Sequence, residues 1–332
     1  MARSFMMLPG TDCRKKPGTA FAAVDIGSYT ARLLIAEKSD SPPGFRALLR
    51  RRAYIKLAEG FKEGEGGKIS EEAILRLLSV LGDFKTACQE WNAIEIRSVA
   101  TGVMRRAENK DQVVQRIMHG WGRQVQVING EDEAKLTGLG VIQALPLDHA
   151  AFVIFDLGGG STEFLYRKGT AMEALSIPLG TVIFSQQYTP SAPPVAGAIA
   201  HLEKNVDAML HRTLPPRDKS FVEPWILAGT GGTVTTLAAM IHGIDTLDIH
   251  PTLINGLKID YDKLLGLIDR MKDMTLEERA EEKGLDKDRA PVILAGAVMV
   301  ERILHYFQCP QLVSSLSDIL DGIMIDQLNT LV

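Results

Sequence analysis

Two stretches of the 332-residue chain decide the fold: VDIGSYTARLLIAE at residues 24–37 and IFDLGGGSTEFLYR at residues 154–167. Each begins as an apolar run that ends at an aspartate, continues through a turn of glycine and hydroxyl residues, and then becomes apolar again. An apolar run of this kind predicts a buried strand, and the turn predicts a hairpin partner for it. We interpret the two stretches as the two jaws of one phosphate site.

Strand and helix patterns alternate around both stretches. In the first half, residues 21–27, 93–101 and 124–130 are typical of strands, whereas the apolar spacing from Ser70 and over about 103–119 predicts helices. The same alternation restarts near residue 151. Two similar halves of this kind predict an α/β fold in which each half builds a sheet covered by helices, and the chain length fits two domains.

The composition is that of a soluble globular protein, with 45% apolar residues, 23% charged residues and a formal net charge of -4. We therefore expect no nucleic-acid partner, although RALLRRRAYIK (46–56) is a local basic patch. No run of about 18 apolar residues predicts a membrane partner. Cys13, Cys88 and Cys309 are too far apart for a disulfide framework, which favours the cytoplasm. Residues 1–19 are interpreted as a loose leader.

Both turns carry groups that suit a phosphate site. A strand that ends in Asp-x-Gly places a carboxylate at the edge of the sheet where ligands bind, and glycine lets backbone N–H groups approach an anion. Asp25 and Asp156 are predicted to hold Mg²⁺ through waters, because carboxylates repel phosphate. For either turn alone, a plain hairpin remains the alternative. The predicted phosphate-binding residues are Gly27, Ser28, Tyr29 and Thr30 in the first turn and Gly158, Gly159, Gly160, Ser161 and Thr162 in the second.

Acidic residues near the turns are candidates for acid–base chemistry. NGEDEAKL (129–136) places three acids in the first turn of a predicted helix, which the helix dipole explains only in general terms. A hydrolase needs a general base to take a proton from water, and Glu133 is the candidate. Glu163, seven residues beyond Asp156, lies on the strand that leaves the second turn and is expected to face the same site.

Two arginines and a third glycine turn extend the predicted site. Arg105 lies at the start of a helix, where a cation opposes the helix dipole, so we expect it to contact an anion. Arg32 follows the first turn and is given the same role; a solvent-facing arginine is the alternative for both. LAGTGGTVTTLA (227–238) opens another helix whose N-terminus suits an anion, although close packing explains these glycines almost as well. The candidate residues there are Gly229, Thr230, Gly231 and Gly232.

In this order, DIGSYTARL, ATGVMRRAENK, NGEDEAKL, DLGGGSTEF and GTGGT closely resemble the exopolyphosphatase / guanosine pentaphosphate phosphohydrolase family, over about residues 21–305. The resemblance implies an actin-like ATPase fold, with two ribonuclease-H-like domains flanking a cleft. We expect domain I over 20–131, with 313–332 returning to it, and domain II over 132–312. The chain length suggests the short, two-domain form of the family.

The resemblance also implies an activity. Members hydrolyse the terminal phosphoanhydride of polyphosphate to orthophosphate with Mg²⁺ (or Mn²⁺), and homodimers are common among them. By the same resemblance, Glu133 is the base, Asp156 and Glu163 bind metal and position water, and Arg105 contacts the phosphates. The substrate is accordingly expected to be polyphosphate or guanosine pentaphosphate.

Three departures from the family pattern bear on the substrate. Tyr29 replaces the usual asparagine of the first turn, and Gly102-Val103 replaces a small polar pair. Asp318 and Leu320 stand at the glycine and arginine positions of a terminal G-L-R-x-G pattern. The alternatives to an exopolyphosphatase are therefore a guanosine pentaphosphate phosphohydrolase, a low-turnover alarmone-binding regulator and a sugar kinase of the same superfamily.

Overall fold

The structure is a computed structural model that describes residues 19–61, 66–147, 151–168, 170–215 and 225–330. The predicted leader therefore lies outside the described residues, except for its last position. The chain forms two compact units, which are unit 1 (Met1–Gln143 with Asp318–Val332) and unit 2 (Ala144–Ser317). The chain thus divides after Gln143 and Ser317, whereas the predicted boundaries follow residues 131 and 312.

Strands and helices alternate along the described chain. The strands are β1 (Ala20–Ile26), β2 (Thr30–Lys38), β3 (Phe45–Tyr54), β4 (Ala93–Ala100), β5 (Gln126–Val127), β6 (Ala151–Leu157), β7 (Thr162–Lys168), β8 (Ala171–Ile177), β9 (Trp225–Thr230), β10 (Lys258–Asp260) and β11 (Gln311–Ser314). The helices are α1 (Glu71–Glu90), α2 (Val103–Arg106), α3 (Lys110–Trp121), α4 (Gly130–Ala144), α5 (Thr181–Tyr188), α6 (Ala198–Thr213), α7 (Gly231–His242), α8 (Pro251–Ile254), α9 (Tyr261–Met271), α10 (Leu276–Ala280), α11 (Ala290–Phe307) and α12 (Ile319–Thr330).

The sheet of unit 1 has the order β3-β2-β1-β4-β5. The pairs β1–β2 and β2–β3 are antiparallel, and β1–β4 and β4–β5 are parallel. Every residue of β1 is buried, which explains its unbroken apolar sequence. Apolar residues of α12, including Ile323 and Met324, pack against Phe21 and Ala23 of β1.

The sheet of unit 2 has the order β10-β11-β9-β6-β7-β8. Its central strands repeat the pattern of unit 1, because β6–β7 and β7–β8 are antiparallel and β6–β9 and β9–β11 are parallel. A short edge strand, β10, is added next to β11. These two mixed sheets confirm the predicted α/β class.

The core of unit 2 is built around α11, which packs against α5, α6, α7 and α9. By length and composition, the segment Lys287–Phe307 is the one helix in the described ranges that could cross a membrane. Since 78% of its apolar window is buried inside the protein, a core helix explains the same composition.

Three local predictions need correction. The basic stretch at 46–56 contains β3, an edge strand that its arginines conceal. The helix predicted over about 103–119 is two helices, because α2 ends at Arg106 and α3 begins at Lys110. The final strand does not return to the first domain, since β11 pairs with β9 and β10 in unit 2, whereas α12 packs on β1 and β2 as predicted.

Candidate active site

The first glycine turn joins β1 to β2 and is closed by its own hydrogen bonds. The Gly27 N–H donates to Thr30 O at 2.9 Å, so this donor serves the turn and not a phosphate. The Ser28 hydroxyl accepts the Val103 N–H at 2.9 Å, at the start of α2. Gly102, at φ +56°, allows this contact, because a Cβ there would lie 2.1 Å from Ser28 Oγ. The first turn and the arginine helix are therefore one assembly.

Tyr29 is positioned by β3. Its carbonyl accepts the N–H groups of Ile55 and Lys56 at 3.0 and 2.9 Å. Its ring meets that of Tyr54 edge to face, with centroids 5.4 Å apart. The Arg52 guanidinium lies 5.3 Å from the centroid of the Tyr54 ring. The unusual tyrosine of the first turn thus belongs to a small aromatic and cationic surface.

Asp25 and Arg32 are opposite each other on β1 and β2 and form an ion pair. Asp25 Oδ2 accepts Nε and Nη2 of Arg32 at 2.9 and 2.7 Å. Arg32 Nη1 donates to Oδ2 of Asp318, just before α12. Burial raises the pKa of Asp25 above its usual value, and Arg32 partly opposes that shift.

This ion pair bears on two predicted roles. The charge of Asp25 is already balanced by a guanidinium, so a divalent cation at this carboxylate would compete with Arg32. Asp25 Oδ1 has no hydrogen-bond partner among the described residues, but one oxygen beside a guanidinium is a poor metal site. Arg32, for its part, is held by two carboxylates rather than facing a phosphate. The residues of unit 1 therefore do not fit the predicted metal site at Asp25.

Glu133 is the one buried acid of the three that open α4, since Glu131 and Asp132 are exposed. Only 7% of its surface is accessible. Arg105 Nη1 donates to its Oε2 at 2.8 Å and to the Ile128 carbonyl at 3.2 Å. The structure thus brings together the predicted base and the predicted anion-binding arginine, with Arg105 holding the Glu133 carboxylate in position.

The second glycine turn, between β6 and β7, closes in the same way as the first. The Gly158 N–H donates to Ser161 O at 3.0 Å, so it too serves the turn. Thr162 is fully buried and its hydroxyl donates to the Leu179 carbonyl, which makes it a structural residue rather than a phosphate ligand. Ser161 is also buried.

The middle of the second turn packs against the start of α5. The Gly159 carbonyl accepts the Val182 N–H at 2.9 Å. A Cβ at Gly180 would lie 2.4 Å from the Cα of Gly160, so only a glycine allows this approach. The turn is therefore fixed by the residues that begin α5.

Asp156 and Glu163 lie directly opposite each other on antiparallel strands, so their side chains emerge on the same face of the sheet. They are 9% and 3% exposed. Glu163 Oε1 accepts the Ser176 hydroxyl at 2.7 Å. A Cβ at Gly231 would lie 2.4 Å from Asp156 Oδ1, so the Gly231 Cα packs directly against this carboxylate. Unit 2 thus holds two adjacent, nearly buried acids.

These two acids fit a magnesium site. Mg²⁺ keeps several waters and is usually held by one or two carboxylates together with substrate phosphates. Within the described ranges, no three or more His, Cys, Asp or Glu side chains are grouped to hold a metal. The donor set of Asp156 and Glu163 is therefore that of an ion shared with a phosphate substrate rather than of a closed protein cage.

Two residues of the third glycine turn have structural tasks. Gly229 lies inside β9, and a Cβ there would approach the Phe155 ring to 2.8 Å. Thr230 is fully buried and its hydroxyl donates to the Ser315 carbonyl at 2.9 Å. These contacts assign both residues to packing, which was the alternative explanation of the sequence pattern.

The other half of this turn contains a cation that the sequence reasoning missed. A Cβ at Gly232 would lie 1.9 Å from Nη2 of Arg289, so the guanidinium rests on the first turn of α7. A cation at a helix N-terminus is unfavourable by itself and is stabilised by an anion there. The signal in the sequence is the second glycine of the pair, which leaves room for the arginine.

Comparison with known proteins agrees with this arrangement. A model of the Ppx/GppA phosphatase family matches residues 34–331. The chain belongs to this family. Membership confirms the family predicted from the motifs, and it confirms the predicted enzyme class at the level of a phosphatase family.

Individual members are similar over most of their length. Exopolyphosphatase 2 of Mycobacterium tuberculosis is 29% identical over 92% of this chain and 98% of its own. Exopolyphosphatase 1 of Mycobacterium bovis is 30% identical over 84% of this chain and 79% of its own. The crystal structure of the Ppx/GppA member from Aquifex aeolicus is 28% identical, with a TM-score of 0.76 over 95% of this chain and 99% of that one. The predicted actin-like, two-domain architecture is that of the family.

Proposed function

We propose that the protein is an exopolyphosphatase, which hydrolyses the terminal phosphoanhydride of inorganic polyphosphate and releases orthophosphate. The observation that carries this proposal is the nearly buried Glu133 carboxylate at the start of α4, held by Arg105 at 2.8 Å. Similarity to proteins named exopolyphosphatases supports the choice of substrate.

Glu133 acts as the general base in this proposal. Its carboxylate takes a proton from water, whose oxygen then bonds to the terminal phosphorus while the bridging P–O bond breaks. The products are orthophosphate and a chain shorter by one phosphate. Arg105 keeps the carboxylate in one orientation, which favours proton transfer from a positioned water.

Asp156 and Glu163 would hold Mg²⁺ (or Mn²⁺), which balances the charge of the phosphate oxygens when it is bound. The two acids lie on adjacent strands, so the sheet fixes their spacing before any ligand arrives. Backbone donors of the two glycine turns, the start of α7 and Arg289 are the proposed phosphate contacts.

A guanosine pentaphosphate phosphohydrolase is the second candidate, and one observation favours it. The rings of Tyr29 and Tyr54 and the Arg52 guanidinium form a surface beside the first turn. Aromatic and guanidinium groups can stack on a nucleotide base. A bare polyphosphate has no base to use such a surface.

Phosphate release by the purified protein tests the proposal. Long-chain polyphosphate and guanosine pentaphosphate are compared with Mg²⁺ at equal terminal-phosphate concentration, using wild type, Glu133→Gln and Asp132→Asn. Asp132 is the matched control, because it is the neighbouring acid and is exposed. We expect release from polyphosphate to fall about a hundredfold or more in Glu133→Gln and to stay near wild type in Asp132→Asn.

Other outcomes change the proposal in defined ways. Stronger release from guanosine pentaphosphate than from polyphosphate favours the second candidate. Binding of guanosine nucleotides without release from either substrate favours the alarmone-binding regulator. Full activity in Glu133→Gln removes Glu133 as the base.

We also propose a reducing, cytoplasmic location, supported by the free thiols Cys88 and Cys309. A homodimer remains a prediction from the family resemblance. Size-exclusion chromatography with light scattering tests it, and a monomer at micromolar concentration would contradict it.

A further inference from the structure

Arg32 is held by acidic groups on two sides. Asp25 binds its Nε and Nη2 through one oxygen, and Asp318 binds its Nη1. The side chains of Asp25 and Asp318 are 4% and 8% exposed, and that of Arg32 is 21% exposed. The contacts occupy each nitrogen of the guanidinium. Arg32 therefore offers no nitrogen to another anion unless one of these bonds breaks.

The charges of the three groups do not cancel. Two carboxylates around one guanidinium leave a formal excess of one negative charge directly beside the first glycine turn, which begins two residues after Asp25. A phosphate approaching this turn meets a net negative charge instead of a free arginine, and charges in partly buried surroundings interact more strongly than in water.

We propose that Asp318 is a specificity-determining residue, which withholds Arg32 from phosphate and so weakens the binding of polyanionic substrates. This inference rests on the proposed function. It also gives a consequence to the family departure at this position, because a glycine there could not hold the arginine.

The two oxygens of Asp318 have separate tasks, which makes the inference testable. Oδ1 accepts the Leu320 N–H at 3.0 Å and caps the start of α12, whereas Oδ2 binds Arg32. Asparagine and serine are also good N-caps. Asp318→Asn and Asp318→Ser therefore keep a cap for the helix while they remove the charge that holds Arg32.

Asp321 supplies a matched control from the same helix. It is 3% exposed and its Oδ1 binds Nη2 of Arg50 on β3. Asp321→Asn removes the same charge, from the same helix and from another arginine of the same sheet. It does not release Arg32, so it separates the loss of a negative charge on α12 from the loss of the Arg32 contact.

The experiment measures kcat and KM for polyphosphate in wild type, Asp318→Asn, Asp318→Ser and Asp321→Asn, with thermal unfolding as a check that each is folded. We expect KM to fall about threefold to tenfold in both Asp318 variants, with kcat within about twofold of wild type, and the gain to shrink at high salt. Asp321→Asn should keep the wild-type KM.

A second substitution tests whether Asp318 acts through Arg32. In an Arg32→Gln background, Asp318→Asn should no longer lower KM, because there is no guanidinium to release. An unchanged KM in both folded Asp318 variants overturns the inference, and so does an equal gain with or without Arg32, or an equal gain in Asp321→Asn.

Equilibrium binding separates this inference from the proposed function. If wild type releases no phosphate from polyphosphate, the proposed function fails, and the affinity for the same polyphosphate still tests Asp318. Binding that tightens threefold to tenfold in Asp318→Asn, and not in Asp318→Asn with Arg32→Gln, supports the inference without turnover. Unchanged affinity overturns it.

Discussion

The two units write the same hairpin with opposite charges. In unit 1, Asp25 on β1 lies opposite Arg32 on β2, whereas in unit 2, Asp156 on β6 lies opposite Glu163 on β7. The first aspartate is therefore neutralised within the protein, and the second has another acid beside it. One topology thus supports two different tasks, and the cation of the proposed reaction belongs with the second pair.

The parallel strand beside each hairpin extends this comparison. After β4, Gly102 lets the Ser28 hydroxyl reach the start of α2, and after β9, Gly231 lets the Asp156 carboxylate reach the start of α7. Both glycines have positive φ, at +56° and +90°. The same backbone feature fixes a neutral hydroxyl in unit 1 and a carboxylate in unit 2.

Removing the second acid of unit 2 should have the largest effect. Glu163→Gln leaves the proposed ion with one carboxylate, so we expect phosphate release to fall and the Mg²⁺ concentration for half-maximal activity to rise. Both changes should reach about a hundredfold, because even outer partners of metal ligands contribute about ten- to a hundredfold. Magnesium titrations of the activity measure both quantities.

Glu173→Gln is the control for Glu163→Gln. Glu173 lies on the neighbouring strand β8 and is exposed, so its loss should leave the magnesium response unchanged. A Glu163→Gln protein that is folded and responds to Mg²⁺ like wild type would remove Glu163 from the metal site and with it the contrast between the units.

A methyl group at Gly231 should have an intermediate effect. Gly231→Ala places a Cβ against Asp156 Oδ1 in a backbone conformation that alanine rarely adopts, so the carboxylate must move. We expect activity to fall about tenfold, since small displacements of catalytic groups are costly. Initial rates at saturating Mg²⁺ measure the loss.

Gly243→Ala separates strain from displacement. Gly243 ends the same helix at φ +64°, and a Cβ there meets no atom within 4 Å. It should lose stability by about 1 kcal/mol and keep its activity. Equal activity losses in the two variants would mean that helix strain, and not the contact with Asp156, explains the effect.

The smallest effect concerns the neutralised pair of unit 1 and appears as a pH dependence of stability. Burial raises the pKa of Asp25, so the folded protein binds its proton more tightly than the unfolded chain does. The resulting stabilisation is complete below about pH 3.8 and is lost as pH rises through the folded pKa. Asp25→Asn should lack this change, which amounts to at most about 1.4 kcal/mol per pH unit for one proton.

Urea denaturation from pH 3.5 to 7 measures the difference between wild type and Asp25→Asn. Relative to the variant, wild type should lose stability as the pH rises. A difference that is constant with pH, or that changes in the opposite direction, would contradict the burial-dominated pKa of Asp25.

Much of the fold was readable from local sequence. The hairpins at 24–37 and 154–167, the alternation of strands and helices and the start of α4 depend on short-range periodicity and turn residues. β3 was missed because arginines interrupt its apolar pattern, and their partners come from elsewhere. Arg50 binds Asp321 of α12 and Arg51 donates to the Asp83 carbonyl.

The sequence by itself determined the family, the α/β class and the short list of acids and arginines. Tertiary structure decided which of them can act. It buried Glu133 and left its two acidic neighbours exposed, it placed Arg289 on Gly232, and it bound Arg32 to an aspartate 286 positions away. Residue spacing records local preferences, whereas burial and ion pairing arise only when distant segments pack together.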